Sequence, residues 1–109
     1  MPATAVPDVR PDEDTRTRTL PPYQVVLHND EVNTMEFVVA VLQEVFKYRI
    51  EQCMTLMLEA HETGRAVVWV GPLEVAELKA DQILGCGADP TQKDRNAEPL
   101  RVTVEPAPG

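Results

Sequence analysis

The sequence predicts an α+β domain: a small, three-stranded, antiparallel sheet with three helices, in the order β-α-α-β-α-β. Three observations predict it. Tyr23–Leu27 and Ala66–Val70 are short apolar runs of strand length, and Leu100–Glu105 alternates apolar and polar residues. Between them, apolar residues recur at three- and four-residue steps, as on one face of a helix. With 109 residues there is room for one domain whose core needs no metal or disulfide.

In chain order, residues 1–22 carry Pro2, Pro7, Pro11, Pro21 and Pro22 among dense charges, with little to bury, and read as a disordered tail. The folded domain is expected over 23–105, followed by a short tail at 106–109. The strand from Tyr23 to Leu27 ends in an acidic loop, His28-Asn29-Asp30-Glu31. Asn33 and Glu36 have the spacing of an N-cap and its third helical residue, so a helix is expected to begin at Thr34. Its stripe is Met35, Val38, Val39, Leu42, Val45 and Phe46.

A second helix is expected over about Ile50–His61, with Cys53, Met54 and Met57 on its apolar face. Lys47-Tyr48-Arg49 offers it no good cap, whereas Gly64 is placed to end it in the left-handed conformation. Ala66–Val70 reads as a central strand. Pro72 then opens a third helix at its first position, running to about Leu84 and stopping at Gly85. Residues 85–99 are polar and punctuated by Gly87 and Pro90, and read as a mobile loop. The last strand buries Leu100, Val102 and Val104 and exposes Arg101, Thr103 and Glu105.

Ten Lys+Arg against eighteen Asp+Glu give a net charge of −8, which argues against nucleic acid and anionic membranes as partners. No apolar run approaches a membrane span and nothing resembles a secretory leader, so cytoplasmic residence is the expectation. Cys53 and Cys86 have neither metal-ligand nor disulfide-framework spacing. The chain contains no serine, Cys53 lies on an apolar stripe, and Cys86 lacks a positioned base, so an enzyme is not expected. His28, Asp30, Glu31 and His61 are suitable metal-ligand types, but none repeats at a recognised spacing; no metal or cofactor is expected.

The acidic loop has two readings. Its acids and amides either cap the following helix and face water, or they line a binding site. His61 is likewise either a satisfied core histidine or part of that site. If the loop packs against the end of the second helix, His61 meets Asn29 and Asp30. The pocket so formed has acceptors at its mouth and Met35, Val38, Met57 and Ala60 inside. An α-amino group on an apolar body suits it: a cation with three donors and a pKa near ~8 meets a carboxylate, an amide oxygen and an imidazole nitrogen. Methionine walls adapt to varied apolar shapes.

Four stretches carry a family resemblance: Tyr23-Gln24-Val25-Val26-Leu27-His28-Asn29-Asp30-Glu31; Met35-Glu36-Phe37-Val38; Leu56-Met57-Leu58-Glu59-Ala60-His61-Glu62-Thr63-Gly64-Arg65-Ala66; and Glu74-Val75-Ala76-Glu77-Leu78-Lys79. In this combination and order the chain resembles the ClpS family, from Tyr23 to about Glu105. ClpS proteins are adaptors of the N-degron (N-end rule) pathway. They bind proteins with an N-terminal Phe, Tyr, Trp or Leu and hand them to a Clp AAA+ unfoldase of the ClpA or ClpC type, which works with the ClpP peptidase.

The resemblance implies that Asn29, Asp30 and His61 hold the client's α-amino group. It implies that Met35 rejects β-branched residues, that Val38, Met57, Ala60 and Leu100 line the side-chain pocket, and that Asn33 stands at its entrance. Glu74 and Lys79 match positions that contact the unfoldase's N-terminal domain. The expected partners are client N-termini and that unfoldase, with the adaptor a monomer; the alternative is a divergent paralogue that docks on the unfoldase and modulates it with altered clients. Four departures stand out. Glu31-Val32-Asn33-Thr34-Met35 replaces the family's common Asp-Tyr-Thr-Pro-Met, Ala60 stands where Val is usual, Trp69 stands where Gly is usual, and the 85–99 loop is longer than typical.

Overall fold

The structure, a computed structural model, describes residues 21–108. The expected tail therefore lies, for residues 1–20, outside the described residues. Strand β1 (Tyr23–His28) is followed by helices α1 (Met35–Phe46) and α2 (Ile50–Thr63), strand β2 (Arg65–Gly71), helix α3 (Leu73–Gly85), a 3-10 turn (Pro90–Arg95) and strand β3 (Val102–Pro106). The α+β class and the order of its strands and helices are as expected from the sequence.

Both neighbours of β1 run antiparallel to it, and the sheet order is β2-β1-β3. The expectation that Ala66–Val70 is central is therefore corrected: β1 is central and β2 is an edge. The unbroken apolar run misleads because β2 is only partly buried: Ala66 and Val68 are buried, while Val67 and, past a register shift, Val70 face outward, Val70 at 52% exposure. A continuous apolar run marks residues compatible with a sheet, but not which edge finds a second partner. β1 is the strand whose consecutive residues Gln24–Leu27 are all buried. A bulge between Val25 and Val26 shifts the β1–β2 register, pairing Val25 with Trp69 and Val26 with Val67.

One face of the sheet is covered by helices, α2 against β2 and α3 against β1 and β3, while α1 packs on both of them. Leu27, Leu42, Ile83 and Leu100 are the largest side chains sealed in the core so formed. The opposite face is mixed: Val67 and Val70 are exposed there beside a polar cluster in which Gln24 Nε2 donates to Glu105 Oε1 at 3.2 Å, His28 Nε2 meets Thr103 Oγ1 at 2.8 Å, and Arg65 pairs with Glu105.

Local chemistry sets the helix ends. Thr34, not Asn33, caps α1: its hydroxyl oxygen accepts from the Phe37 N–H at 3.1 Å, and the helix begins one residue later than expected. Asn33 does not cap because its side-chain amide is bonded elsewhere. α2 is preceded by Arg49, which makes no side-chain cap bond, and is followed by Gly64, whose φ of 98° is the left-handed conformation expected of it. It runs two residues past His61. Pro72 is the cap of α3 rather than its first helical residue. Between α1 and α2 the chain turns at Lys47 (φ 59°), and the Tyr48 hydroxyl donates to Val68 O at 2.8 Å, fastening the turn to β2.

The segment expected as a loop over 85–99 contains helical structure. Asp89 precedes Pro90 and accepts from the Thr91 N–H at 2.8 Å, which caps the 3-10 turn. Asp89 is also 3% exposed, enclosed by its bonds to Asn33, Thr34 and Thr91. Among the described residues no helix is long and apolar enough to cross a membrane.

Candidate functional site

The site is built where β1 runs out. The Asn29 N–H donates to Gly64 O at 3.0 Å, while the preceding His28 N–H donates to Arg101 O, also at 3.0 Å. The exit of β1 is thus tied on one side to the end of α2 and on the other to the approach to β3. This is the packing expected of the β1 exit loop, but it does not bring His61 into the cleft lined by Asn29 and Asp30.

Asp30 is held by its own loop. Its Oδ1 accepts from the Val32 N–H (2.8 Å) and the Asn33 N–H (2.9 Å), and its Oδ2 accepts from Asn33 Nδ2 (2.6 Å). Partial burial by itself would raise the carboxyl's pKa. The hydrogen bonds from Asn33 and Val32, aided by the Arg101 charge, outweigh burial and lower it below the ordinary carboxylate value. Asp30 is consequently an anion at neutral pH. A carboxylate offers roughly four acceptor directions, and three are filled here, so one remains open.

Asn29 Nδ2 donates to Glu31 Oε2 at 2.6 Å. That bond leaves Asn29 Oδ1 as an acceptor to which no side chain or backbone group among the described residues donates. Asn29, Asp30 and Leu100 line one cleft of about 560 Å³, together with Glu31, Glu98 and Arg101. Such a cleft joins open acceptors and negative charge to an apolar wall, and is suited to a donor-rich cation bearing an apolar group.

A second cleft, of about 450 Å³, lies between α1 and α2. Met35 and Met57 line it with Val39, Ala40, Ile50 and Met54, and Met35 is 43% exposed at its rim. Val38 and Ala60 are buried in the core cluster that also contains Met57 and Leu100. Met57 thus lines the methionine cleft and Leu100 the Asp30 cleft, and the core lies between them.

His61 sits in the last turn of α2 and is exposed, so it is not a satisfied core histidine, which is one of the two readings its sequence position allows. No hydrogen bond to its ring is made by the described residues, and it lines neither of these clefts. Asn33 is 6% exposed and sits behind Asp30 rather than facing solvent. Glu74 is exposed in the first turn of α3. Lys79 Nζ donates to Val45 O at 3.2 Å, near the end of α1, and lies 5.7 Å from the centre of the Phe46 ring.

His28 belongs to the polar cluster on the sheet's other face. Burial, then the Arg101 and Arg65 charges, lower its pKa against the opposing pull of Glu105. Among the described residues no three His, Cys, Asp or Glu side chains converge as a metal site requires. Cys53 is fully buried, and that burial raises its thiol pKa, which disfavours the reactive thiolate.

Sequence reasoning misses Asp89 and Arg101. A signal for Asp89 is present, since Asp89-Pro90-Thr91 is an N-cap followed by proline at the first helical position. Arg101 reads from the sequence as a residue on the exposed side of the last strand, and it is exposed; its place beside Asp30 follows only from the strand pairing.

Residues 18–103 match the family described as ATP-dependent Clp protease adaptor protein ClpS. Among curated relatives, the Clp protease adapter ClpS of Erwinia tasmaniensis is 40% identical over 98 residues, covering 88% of this chain and 87% of the relative. That of Edwardsiella ictaluri is 42% identical with the same coverage. A solved structure, Agrobacterium tumefaciens ClpS2 bound to L-phenylalaninamide, is similar with a TM-score of 0.69 and 34% identity, over 80% of this chain and 98% of that one.

Proposed function

The chain belongs to the ClpS family of Clp protease adaptors, and on that footing we propose that it is an N-degron adaptor that binds the free N-terminus of client proteins bearing Phe, Tyr, Trp or Leu. The observation that carries this reading is the Asp30 carboxylate, kept ionised by its loop, with one acceptor direction open beside Asn29 and Leu100. Asn29, Asp30 and His61 receive the client's ammonium group. Val38, Met57, Ala60 and Leu100 surround its side chain, and Met35 screens entry. The ligand in the Agrobacterium structure has the matching chemistry, a free α-amine and a benzyl side chain.

Delivery is to a Clp AAA+ unfoldase of the ClpA or ClpC type, whose N-terminal domain meets α3 around Glu74 and Lys79. The adaptor acts as a monomer in the cytoplasm, a setting with which the two free thiols of Cys53 and Cys86 agree. The testing experiment is a binding series on one peptide scaffold with N-terminal Phe, Tyr, Trp, Leu, Ile or Met, and an acetylated Phe control. Tight binding of the first four and loss on acetylation are expected. Docking on the unfoldase without binding any of these peptides would favour instead a paralogue with altered clients.

A further inference from the structure

Asn33 is buried, and every polar atom of its side chain is used. Oδ1 accepts from the Asp89 N–H at 2.8 Å, and Nδ2 donates to Asp30 Oδ2 at 2.6 Å and to Glu98 O at 2.8 Å. Its oxygen must face an N–H and its nitrogen two oxygens, so these partners permit a single amide orientation. Both remote partners come from the segment after α3. Asp89 is itself fastened, since its Oδ2 accepts from the Thr34 N–H (3.1 Å) and hydroxyl (2.6 Å) and its Oδ1 from the Thr91 N–H (2.8 Å) and hydroxyl (2.7 Å). Glu98 lies two residues before Leu100, which lines the same cleft as Asp30.

We infer that Asn33 is a positioning residue for the Asp30 carboxylate, and that the 86–99 segment, through the Asp89 N–H and the Glu98 carbonyl, sets the affinity of the amino-group site. The inference rests on the reading of Asp30 as the ammonium acceptor. Asn33 does not touch the client. It donates to one Asp30 oxygen from one side, leaving the open acceptor direction pointed into the cleft, and it holds the Leu100 wall at a fixed distance from that carboxylate. Charge-assisted hydrogen bonds of this kind are short and directional, so losing one frees the carboxylate to turn. Sequence position alone conceals the device, because the loop that controls the site enters it 56 residues further along the chain.

The test uses the full chain and a Phe-initiated peptide beside its acetylated twin. Asn33→Ala and Asp89→Ala are each expected to weaken the free-amine peptide roughly tenfold or more, on the scale of a lost hydrogen bond to a charged group. Asn33→Ala is also expected to raise the titration midpoint of Asp30 in a carboxyl NMR titration. Of the charged groups around that cleft, Glu31, Glu98 and Arg101 remain in the variant, so the rise reports the lost amide. In the wild-type protein the Asn33 side-chain amide resonances should move with the Asp30 titration, a readout that requires no variant to fold. Failure of the wild type to distinguish free from acetylated peptide would remove the amino-group reading. Wild-type discrimination, combined with unchanged affinity in a folded Asn33→Ala or amide resonances that ignore the Asp30 titration, would overturn the positioning role alone.

Discussion

The Asn29 N–H donates to Gly64 O at 3.0 Å, joining the loop after the central strand to the residue that ends α2. Gly64 holds a φ of 98°, which disfavours side chains other than glycine. One backbone hydrogen bond therefore brings together the acceptors of the β1 exit and the helix that carries Met57, Ala60 and His61.

The first prediction concerns charge. Asp30→Ala, or acetylation of the client's amine, leaves one partner of a desolvated pair alone. A loss of about 3–5 kcal/mol is expected, roughly a hundredfold or more in Kd. Titration calorimetry with the Phe peptide checks it, and equal binding of free and acetylated peptide would contradict it.

The pH profile of binding should have an alkaline limb near the client amine's pKa of ~8. On the acid side, burial alone would raise the Asp30 carboxyl, but the Asn33 and Val32 hydrogen bonds hold it below the ordinary carboxylate range, so its own protonation removes binding only in strong acid. Any loss setting in at higher pH belongs to another group. Affinity for the Phe peptide measured across pH checks both limbs, and a flat profile would contradict them.

Stability in acid should report Asp89. The Thr34 and Thr91 hydrogen bonds lower its carboxyl from 3.8 to about 2. A carboxyl depressed on folding contributes its stabilisation in full above the unfolded value, and the contribution is lost as pH falls from 3.8 toward 2. Tm measured between about pH 5 and pH 2 should therefore fall less steeply in Asp89→Asn than in the wild type. Parallel slopes would show that Asp89 is not the group responsible.

Glu74 and Lys79 should separate. Glu74→Ala is expected to weaken unfoldase docking and leave peptide affinity and Tm unchanged, because its side chain is exposed. Lys79 also bonds the Val45 carbonyl and approaches the Phe46 ring. Lys79→Ala should additionally cost about 1 kcal/mol of stability, a Tm drop of about 4–8 °C for a domain of this size. An unchanged Tm would make its contacts with α1 energetically neutral.

Ala60 should tune client choice. It is buried in the same cluster as Met57 and Val38, and is two methylene equivalents smaller than a valine would be there. At about 0.8 kcal/mol per CH₂, an incompletely filled pocket loses roughly 1–2 kcal/mol with a small client side chain. Aromatic N-termini are therefore expected to bind better than Leu, and Ala60→Val to narrow that gap by up to about tenfold. An unchanged Phe-to-Leu ratio would show that a methionine already fills the space.

The sequence by itself determined the features that depend on neighbours a few residues away. The helices themselves, the buried Val38, Leu42 and Val45 of α1 and Cys53 and Met57 of α2, the left-handed stop at Gly64 and the alternation around Val102 and Val104 each follow from local sterics or a single period, whereas Met35, Ile50 and Met54 of the expected stripes are exposed. Asn29, Asp30, Met35 and His61 stand out in the sequence as members of motifs; the structure places Asn29 and Asp30 in one cleft, Met35 in another and His61 in neither. Tertiary structure alone decided the rest. That β1 rather than β2 is central depends on which strand edge finds a second partner. That Thr34 caps α1 depends on Asn33 and Asp89 bonding each other across 56 residues. Lys79 reaches Val45, and Leu100 reaches the cleft of Asp30, by the same kind of long-range meeting. Local rules say what each residue is able to bond; only the closed chain settles which of several competent partners comes within about 3 Å, because burial penalises every polar group left without one.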